Sequence, residues 1–203
     1  ELWGMTSGAT APARVRDIRP GPIGSFPTRF QEAGDKLFFT ASESVYGPGE
    51  LWVTDGTLAN THIVKDITAG AGSSAVGELA ALGDRLVFRA RDPDGGIDFD
   101  LYITDGTEAG TNVILDFDDG PDQAGPGGLT SFHGRVFYSV FDPMIGRELW
   151  ATDGTAGGTG LVADCNPVGD SRPRSLGSLG DQLLVQATSG AGKRELWTIE
   201  GDT

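Results

Sequence analysis

The stretch Gly-Glu-Leu-Trp-Val-Thr-Asp-Gly-Thr, residues 49–57, decides the fold because related stretches recur along the chain. An aromatic residue follows Glu-Leu or Asp-Leu at five places, and successive aromatics lie 49, 50, 48 and 47 residues apart. A fixed period of this length indicates a repeat architecture. The aromatics are Trp3, Trp52, Tyr102, Trp150 and Trp197, and an aspartate stands 14 residues after each of the first four (Asp17, Asp66, Asp116 and Asp164).

Each repeat contains four short segments that have the composition of β-strands. Strand A is rich in small residues, and strand B is a dense apolar run such as Leu37-Phe38-Phe39. A turn of Gly with Asp or His joins them, a hairpin signal because these residues tolerate positive φ. Strand C is the Glu-Leu-Trp segment that ends in Asp-Gly-Thr, and strand D follows, as at residues 62–67. Repeated units of four antiparallel strands predict a β-propeller.

We therefore expect an all-β fold, a single β-propeller domain over residues 1–203 with four blades of four antiparallel strands. The repeats should cover residues 1–20 in part, 21–70, 71–120, 121–168 and 169–203 in part. Strand D near residues 13–18 is expected to complete the last blade and close the ring, which leaves residues 1–8 displaced. A five-bladed or incomplete ring is the alternative. A surplus strand would also permit self-association by strand exchange.

The charge and the hydropathy of the chain argue against a nucleic-acid partner and against membrane insertion. The net charge of −14 disfavours nucleic acid, which requires clustered Lys and Arg. No apolar run is long enough for a membrane-spanning helix, so we expect no membrane insertion. The one cysteine, Cys165, occupies a position that is hydrophobic in the other repeats, and it therefore predicts a small buried residue.

Two segments resemble a known repeat family. Residues 50–57 and 148–155 match the pattern ELWxxDGT, and residues 100–107 depart from it by Asp for Glu and Tyr for Trp. This pattern is similar to the ELWxxDGT repeat of large secreted or surface proteins of bacteria. The resemblance spans nearly the whole chain. It implies a propeller-like protein that is extracellular or on the bacterial cell surface, and it implies no catalytic residues.

The repeated aromatics are the first candidates for ligand binding. Trp faces stack on sugar rings, so Trp52, Tyr102, Trp150 and Trp197 are candidate glycan platforms. The competing interpretation is that they pack between blades. The Asp-Gly-Thr triplet has two interpretations as well: a turn between strands C and D, or a set of cation ligands at Asp55, Asp105 and Asp153.

The acidic loop at residues 92–100 is the best candidate metal site. Alternating carboxylates with Gly can wrap hard oxygen ligands around Ca²⁺. The candidate ligands are Asp92, Asp94, Asp98 and Asp100, and calcium is the one candidate cofactor. The alternative is a solvated acidic loop.

Three functions follow as hypotheses. The first is a secreted or cell-surface binding module that recognises glycan or another surface polymer. The second is a structural or assembly domain of a larger surface protein or oligomer. The third is a hydrolase or lyase, for which the sequence offers no catalytic motif and no candidate catalytic residue.

Overall fold

The computed structural model describes residues 1–43, 49–68, 74–91, 99–117 and 125–201, and these ranges contain only β-strands, turns and irregular segments. No helix in them could cross a membrane. The strands form five antiparallel sheets, numbered here in chain order. Sheet 1 consists of β1 (Leu2–Gly4) and β2 (Ala13–Arg16), and sheet 2 consists of β3 (Thr28–Ala33), β4 (Lys36–Ala41), β5 (Glu50–Thr54) and β6 (His62–Ile63). Sheet 3 consists of β7 (Gly77–Leu82), β8 (Arg85–Arg91), β9 (Phe99–Thr104) and β10 (Asn112–Leu115), and sheet 4 consists of β11 (Gly127–Phe132), β12 (Arg135–Asp142), β13 (Gly146–Thr152) and β14 (Gly160–Ala163). Sheet 5 consists of β15 (Arg174–Leu179), β16 (Gln182–Thr188) and β17 (Arg194–Glu200).

The four predicted strands of the repeat are confirmed. In sheets 2, 3 and 4 they run side by side in the order A-B-C-D. The hairpin between strands A and B also forms as predicted, with Gly34 at a φ of 61° and Gly83 at 64°. A side chain with a Cβ is strained at such angles, which explains the glycine.

Consecutive sheets pack face to face, because alternate residues of each strand point in opposite directions. On β5, Leu51 joins the hydrophobic cluster between sheets 2 and 3, whereas Trp52 joins the cluster between sheets 1 and 2. Two further clusters join sheet 3 to sheet 4 and sheet 4 to sheet 5. Each cluster therefore joins two sheets that are neighbours in sequence.

Strand A lies on the same side of every complete sheet. β3 contacts β7, β7 contacts β11, and β11 contacts β15, so the strands A follow one another along a common line. Sheets that pack in chain order around their first strands are consistent with a β-propeller-like arrangement.

The ring closure predicted from the sequence is not what the structure shows. β2 pairs with β1 rather than with β17, and sheet 5 has three strands within the described residues. Strand β1 is not displaced either, because it pairs with β2 and because Leu2 and Ile18 pack against Phe39 and Trp52 of sheet 2. The first repeat thus forms a two-stranded sheet that contains only strands C and D.

Candidate functional site

The aromatic residue of strand C faces the preceding sheet. Trp52 is 2% exposed, stacks on Phe39 at 6.4 Å between ring centroids, and lies beneath the guanidinium of Arg16 at 5.6 Å. Tyr102 is also buried and stacks on Phe88 at 5.4 Å. Rings covered in this way have no face free to stack on a sugar.

Among the aromatics of strand C, the exposed ones lie in sheet 1 and sheet 5. Trp150 is partly buried against the cluster between sheets 3 and 4. Trp197 of sheet 5 is 38% exposed, and Trp3 of sheet 1 is 58% exposed. The exposed fraction of this residue type is therefore larger in sheets 1 and 5 than in sheets 2 and 3.

The Asp-Gly-Thr triplet forms the predicted turn between strands C and D. The Asp55 Oδ1 accepts hydrogen bonds from the Thr57 backbone N–H at 2.9 Å and from the Thr57 hydroxyl at 2.7 Å. Gly56 has a φ of 91°, and the Thr54 hydroxyl contacts the Thr61 hydroxyl at 2.6 Å beneath the turn. The turns at residues 104–111 and 152–159 repeat these bonds. This network gives the triplet a structural role.

The acidic residue of strand C holds consecutive elements together, which the sequence analysis missed. In sheet 4, Glu148 is fully buried, and its carboxylate accepts hydrogen bonds from the N–H of Cys165 at 3.1 Å and of Ser171 at 2.8 Å. The Ser171 hydroxyl donates a further, short bond to it. Because Ser171 precedes β15, this carboxylate ties strand C of sheet 4 to the start of sheet 5.

We call this arrangement the clamp: an acidic residue of strand C accepts hydrogen bonds from the serine that precedes the next sheet. The clamp recurs in the earlier repeats. Glu50 accepts hydrogen bonds from the N–H and hydroxyl of Ser74, and Glu1 accepts from the N–H of Ile18 at 2.6 Å and from the hydroxyl of Ser25 at 3.4 Å. Each glutamate is followed by its serine 23 or 24 residues later, and this spacing is the sequence signal that would have revealed the clamp.

Burial affects the protonation of the clamp and of its neighbour. It raises the pKa of the Glu50 and Glu148 carboxyls, and the bonds from Ser74 and Ser171 oppose part of that shift. Burial also raises the pKa of the Cys165 thiol, and the nearby carboxylates raise it further. A thiol kept protonated is a poor nucleophile. The prediction of Cys165 as a small buried residue is confirmed.

The metal-site prediction falls mostly outside the described residues. Asp92, Asp94 and Asp98 lie there, whereas Asp100 is buried and accepts a hydrogen bond from the N–H of Phe117 at 3.1 Å, as the clamp residue of sheet 3. In the described ranges, no group of three His, Cys, Asp or Glu side chains could hold a metal ion. The calcium prediction for the loop stays untested.

Sheet 5 leaves one apolar face uncovered, and we call it the open face. It carries Leu179, Leu184, Leu196 and Thr198, and the strand register places Gln182, Gln186 and Glu200 on the same side. Leu179 is 71% exposed and Leu196 is 63% exposed. The equivalent residues of sheets 2, 3 and 4 are buried against the following sheet: Ala33, Leu51, Leu82, Leu101, Phe132 and Leu149.

No protein-family model matches the chain, and no curated protein matches it either.

Proposed function

We propose that this chain is an assembly module that associates end to end through the open face of sheet 5. The observation that carries the proposal is the exposure of Leu179 and Leu196 at positions that are buried in every internal sheet. Burying apolar side chains of this size yields about 1.5–3 kcal/mol each when the burial is complete. Because the equivalent face of each internal sheet packs against the following sheet, the open face is suited to docking a sheet of the same repeat.

The occupant proposed is sheet 1 of a second copy. Sheet 1 contains strands C and D and lacks A and B, whereas sheet 5 contains A, B and C. Trp3 projects from sheet 1 on the side that faces a preceding sheet in all later repeats, and it is exposed. Sheet 1 is itself held on sheet 2 by the Glu1 clamp and by Leu2, so it can be presented as a folded unit. A contact between two different surfaces is heterologous and builds rings or filaments.

Sedimentation velocity over a wide protein concentration range tests this proposal. We expect mass to increase with concentration, and the substitution Leu196→Lys should abolish the increase because it places a charge on the open face. The matched control is Leu161→Lys, since Leu161 is also exposed but lies on β14, away from that face. A wild-type chain that remains monomeric throughout, or a Leu196→Lys variant that associates like the control, would refute the proposal.

A closed ring of five sheets is the competing arrangement, in which sheet 1 of the same chain covers sheet 5. The pair Trp3→Cys and Thr198→Cys distinguishes the two. A disulfide within one chain would show closure, whereas a ladder of linked chains would show assembly. Cys165 is buried and would not compete for these thiols.

The second candidate function is a glycan-binding module that acts outside the cell or on its surface. The exposure of Trp197 supports it, since that ring is 38% exposed, whereas Trp52 and Tyr102 are buried and Trp150 is partly buried. A glycan-array screen with calcium and with chelator tests it. Binding that is lost in Trp197→Ala would support this function, and the absence of binding in both conditions would oppose it.

A further inference from the structure

One cleft of this acidic protein is lined by four arginines. They are Arg147, Arg172, Arg174 and Arg194, and they surround a volume of about 460 Å³ at the end of sheets 4 and 5 where β13, β15 and β17 begin. Ser139, Pro173 and Asp170 complete the lining. Among the described residues of this lining there are four guanidinium groups and one carboxylate, in a chain with only 15 lysines and arginines and a net charge of −14.

Hydrogen bonds to the protein position two of these guanidinium groups. Arg147 donates to the Ser139 carbonyl at 3.1 Å and to the Gly125 carbonyl at 3.3 Å. Arg194 donates to the Gln186 side-chain oxygen at 3.4 Å and to the Arg172 carbonyl at 3.3 Å. The two acceptors of Arg194 are neutral oxygens, so these bonds orient its guanidinium without neutralising its charge.

The single carboxylate balances one arginine. The Asp170 Oδ2 lies 3.3 Å from the Arg172 Nη2, and its Oδ1 accepts the Arg147 backbone N–H at 3.1 Å. The Arg174 side chain is exposed, and it forms no hydrogen bond or ion pair with any residue of the described ranges. The cleft thus keeps a surplus of positive charge.

The repeat architecture does not require these arginines. Arg147 and Arg194 occupy equivalent positions directly before the clamp glutamate of strand C, and Arg172 and Arg174 stand at the start of strand A. Arg172 has a φ of 46°, but this left-handed backbone is shared by its equivalents and belongs to the repeat. The residues at the corresponding positions of earlier repeats are uncharged: Gly49 and Phe99, Phe26 and Ala75, and Thr28 and Gly77.

We propose that this cleft binds an oxyanion, a sulfate, phosphate or carboxylate group, either free or carried by a larger molecule. Arginine presents a planar fork of donors that matches the oxygens of such groups, and these charge-assisted bonds are roughly twice as strong as neutral ones. The volume lies within the range of small-molecule sites. The proposal rests on the arginines and on none of the apolar residues of the open face, although the strand register places Arg194 on the same side of β17 as Leu196.

The test is a calorimetric titration of the protein with sodium sulfate, with sodium chloride at equal ionic strength as the reference. We expect saturable binding of sulfate and at least a roughly tenfold loss of affinity in the double variant R174Q/R194Q, since the variant removes two charge-assisted donors from the cleft. Both arginines are exposed, so the variant should fold. The control R14Q/R29Q removes the same charge from exposed positions of β2 and β3 and should bind sulfate like the wild type.

Two outcomes would overturn the proposal: sulfate heats no greater than those of chloride, or equal affinities for the two double variants. A titration with a sulfated monosaccharide separates the sources of the oxyanion. Tighter binding than inorganic sulfate would indicate a group carried on a sugar, and equal binding would indicate a free oxyanion. Unchanged melting temperatures of the variants in chloride would confirm that the effect is on binding.

Discussion

Replacing Glu148 with alanine tests whether the clamp stabilises the stack. The change removes one buried carboxylate and leaves three donors, the N–H groups of Cys165 and Ser171 and the Ser171 hydroxyl, without their acceptor. Removing one partner from a buried charged network costs about 3–5 kcal/mol. For a chain of this length, the melting temperature should fall by roughly 6–20 °C.

Urea denaturation followed by circular dichroism measures the loss of unfolding free energy. Glu195→Ala is the matched control, because Glu195 occupies the same repeat position but is exposed, and its loss should change stability by less than about 0.5 kcal/mol. Glu148→Gln should lie between the two, since its amide retains one acceptor oxygen. Amide exchange at Ser171 should accelerate in the alanine variant. If Glu148→Ala and Glu195→Ala proved equally stable, the clamp would have no energetic role.

Three other substitutions or conditions test the packing and the turns. Trp52→Ala should cost about 3–5 kcal/mol, whereas Trp197→Ala should cost less than half as much because that ring is exposed; similar losses in urea denaturation would contradict the stacking described for sheets 1 and 2. Gly154→Ala should be more destabilising than Gly56→Ala by about 1–3 kcal/mol. The two glycines have φ values of 88° and 91°, but only at Gly154 would a Cβ meet other side chains, at 2.6 Å from Ile103 and 2.8 Å from Leu82; equal melting temperatures would refute this account. The hydrogen bonds from Thr57 and Asn60 lower the pKa of Asp55 from 3.8 to about 2, so its contribution to stability is complete above the unfolded pKa and is lost as the pH falls through the folded one. Urea midpoints should therefore decline between these two pH values, and less so in Asp55→Asn.

The strands could be predicted from the sequence because each repeat carries its own local signals. The spacing from Trp52 to Asp66, the hairpin at Gly34 and the turn at Asp55 depend on neighbouring residues alone, and the structure reproduces them as strands B, C and D. Local chemistry of this kind is readable without knowledge of the remainder of the fold.

The closure of the stack could not be predicted in the same way. Residues 13–16 satisfy the pattern of a strand D for either sheet 1 or sheet 5, and their partner is decided by tertiary contacts. Glu1 binds the N–H of Ile18, and Leu2 packs on sheet 2, so β2 remains beside β1. A repeat pattern identifies equivalent strands but does not say which copies pair.

The arginine cleft illustrates a second limit. Arg147, Arg172 and Arg194 lie 25 and 22 residues apart and belong to three strands or their leading segments, so no short motif contains them. The sequence does show that these positions differ from the other repeats. That difference becomes a cluster only when sheets 4 and 5 are placed side by side.

The restriction of each hydrophobic cluster to two consecutive sheets has a consequence for how such a chain can lengthen. Sheets 2, 3 and 4 each have two packed faces, and the faces of one sheet resemble those of the next. A copy of sheet 2 inserted after sheet 2 would meet the same kinds of neighbour on both sides, and its clamp glutamate would find Ser74, which precedes sheet 3. Duplication of one unit can therefore add length without a new packing arrangement, because stability in such arrays is a sum of unit and nearest-neighbour terms.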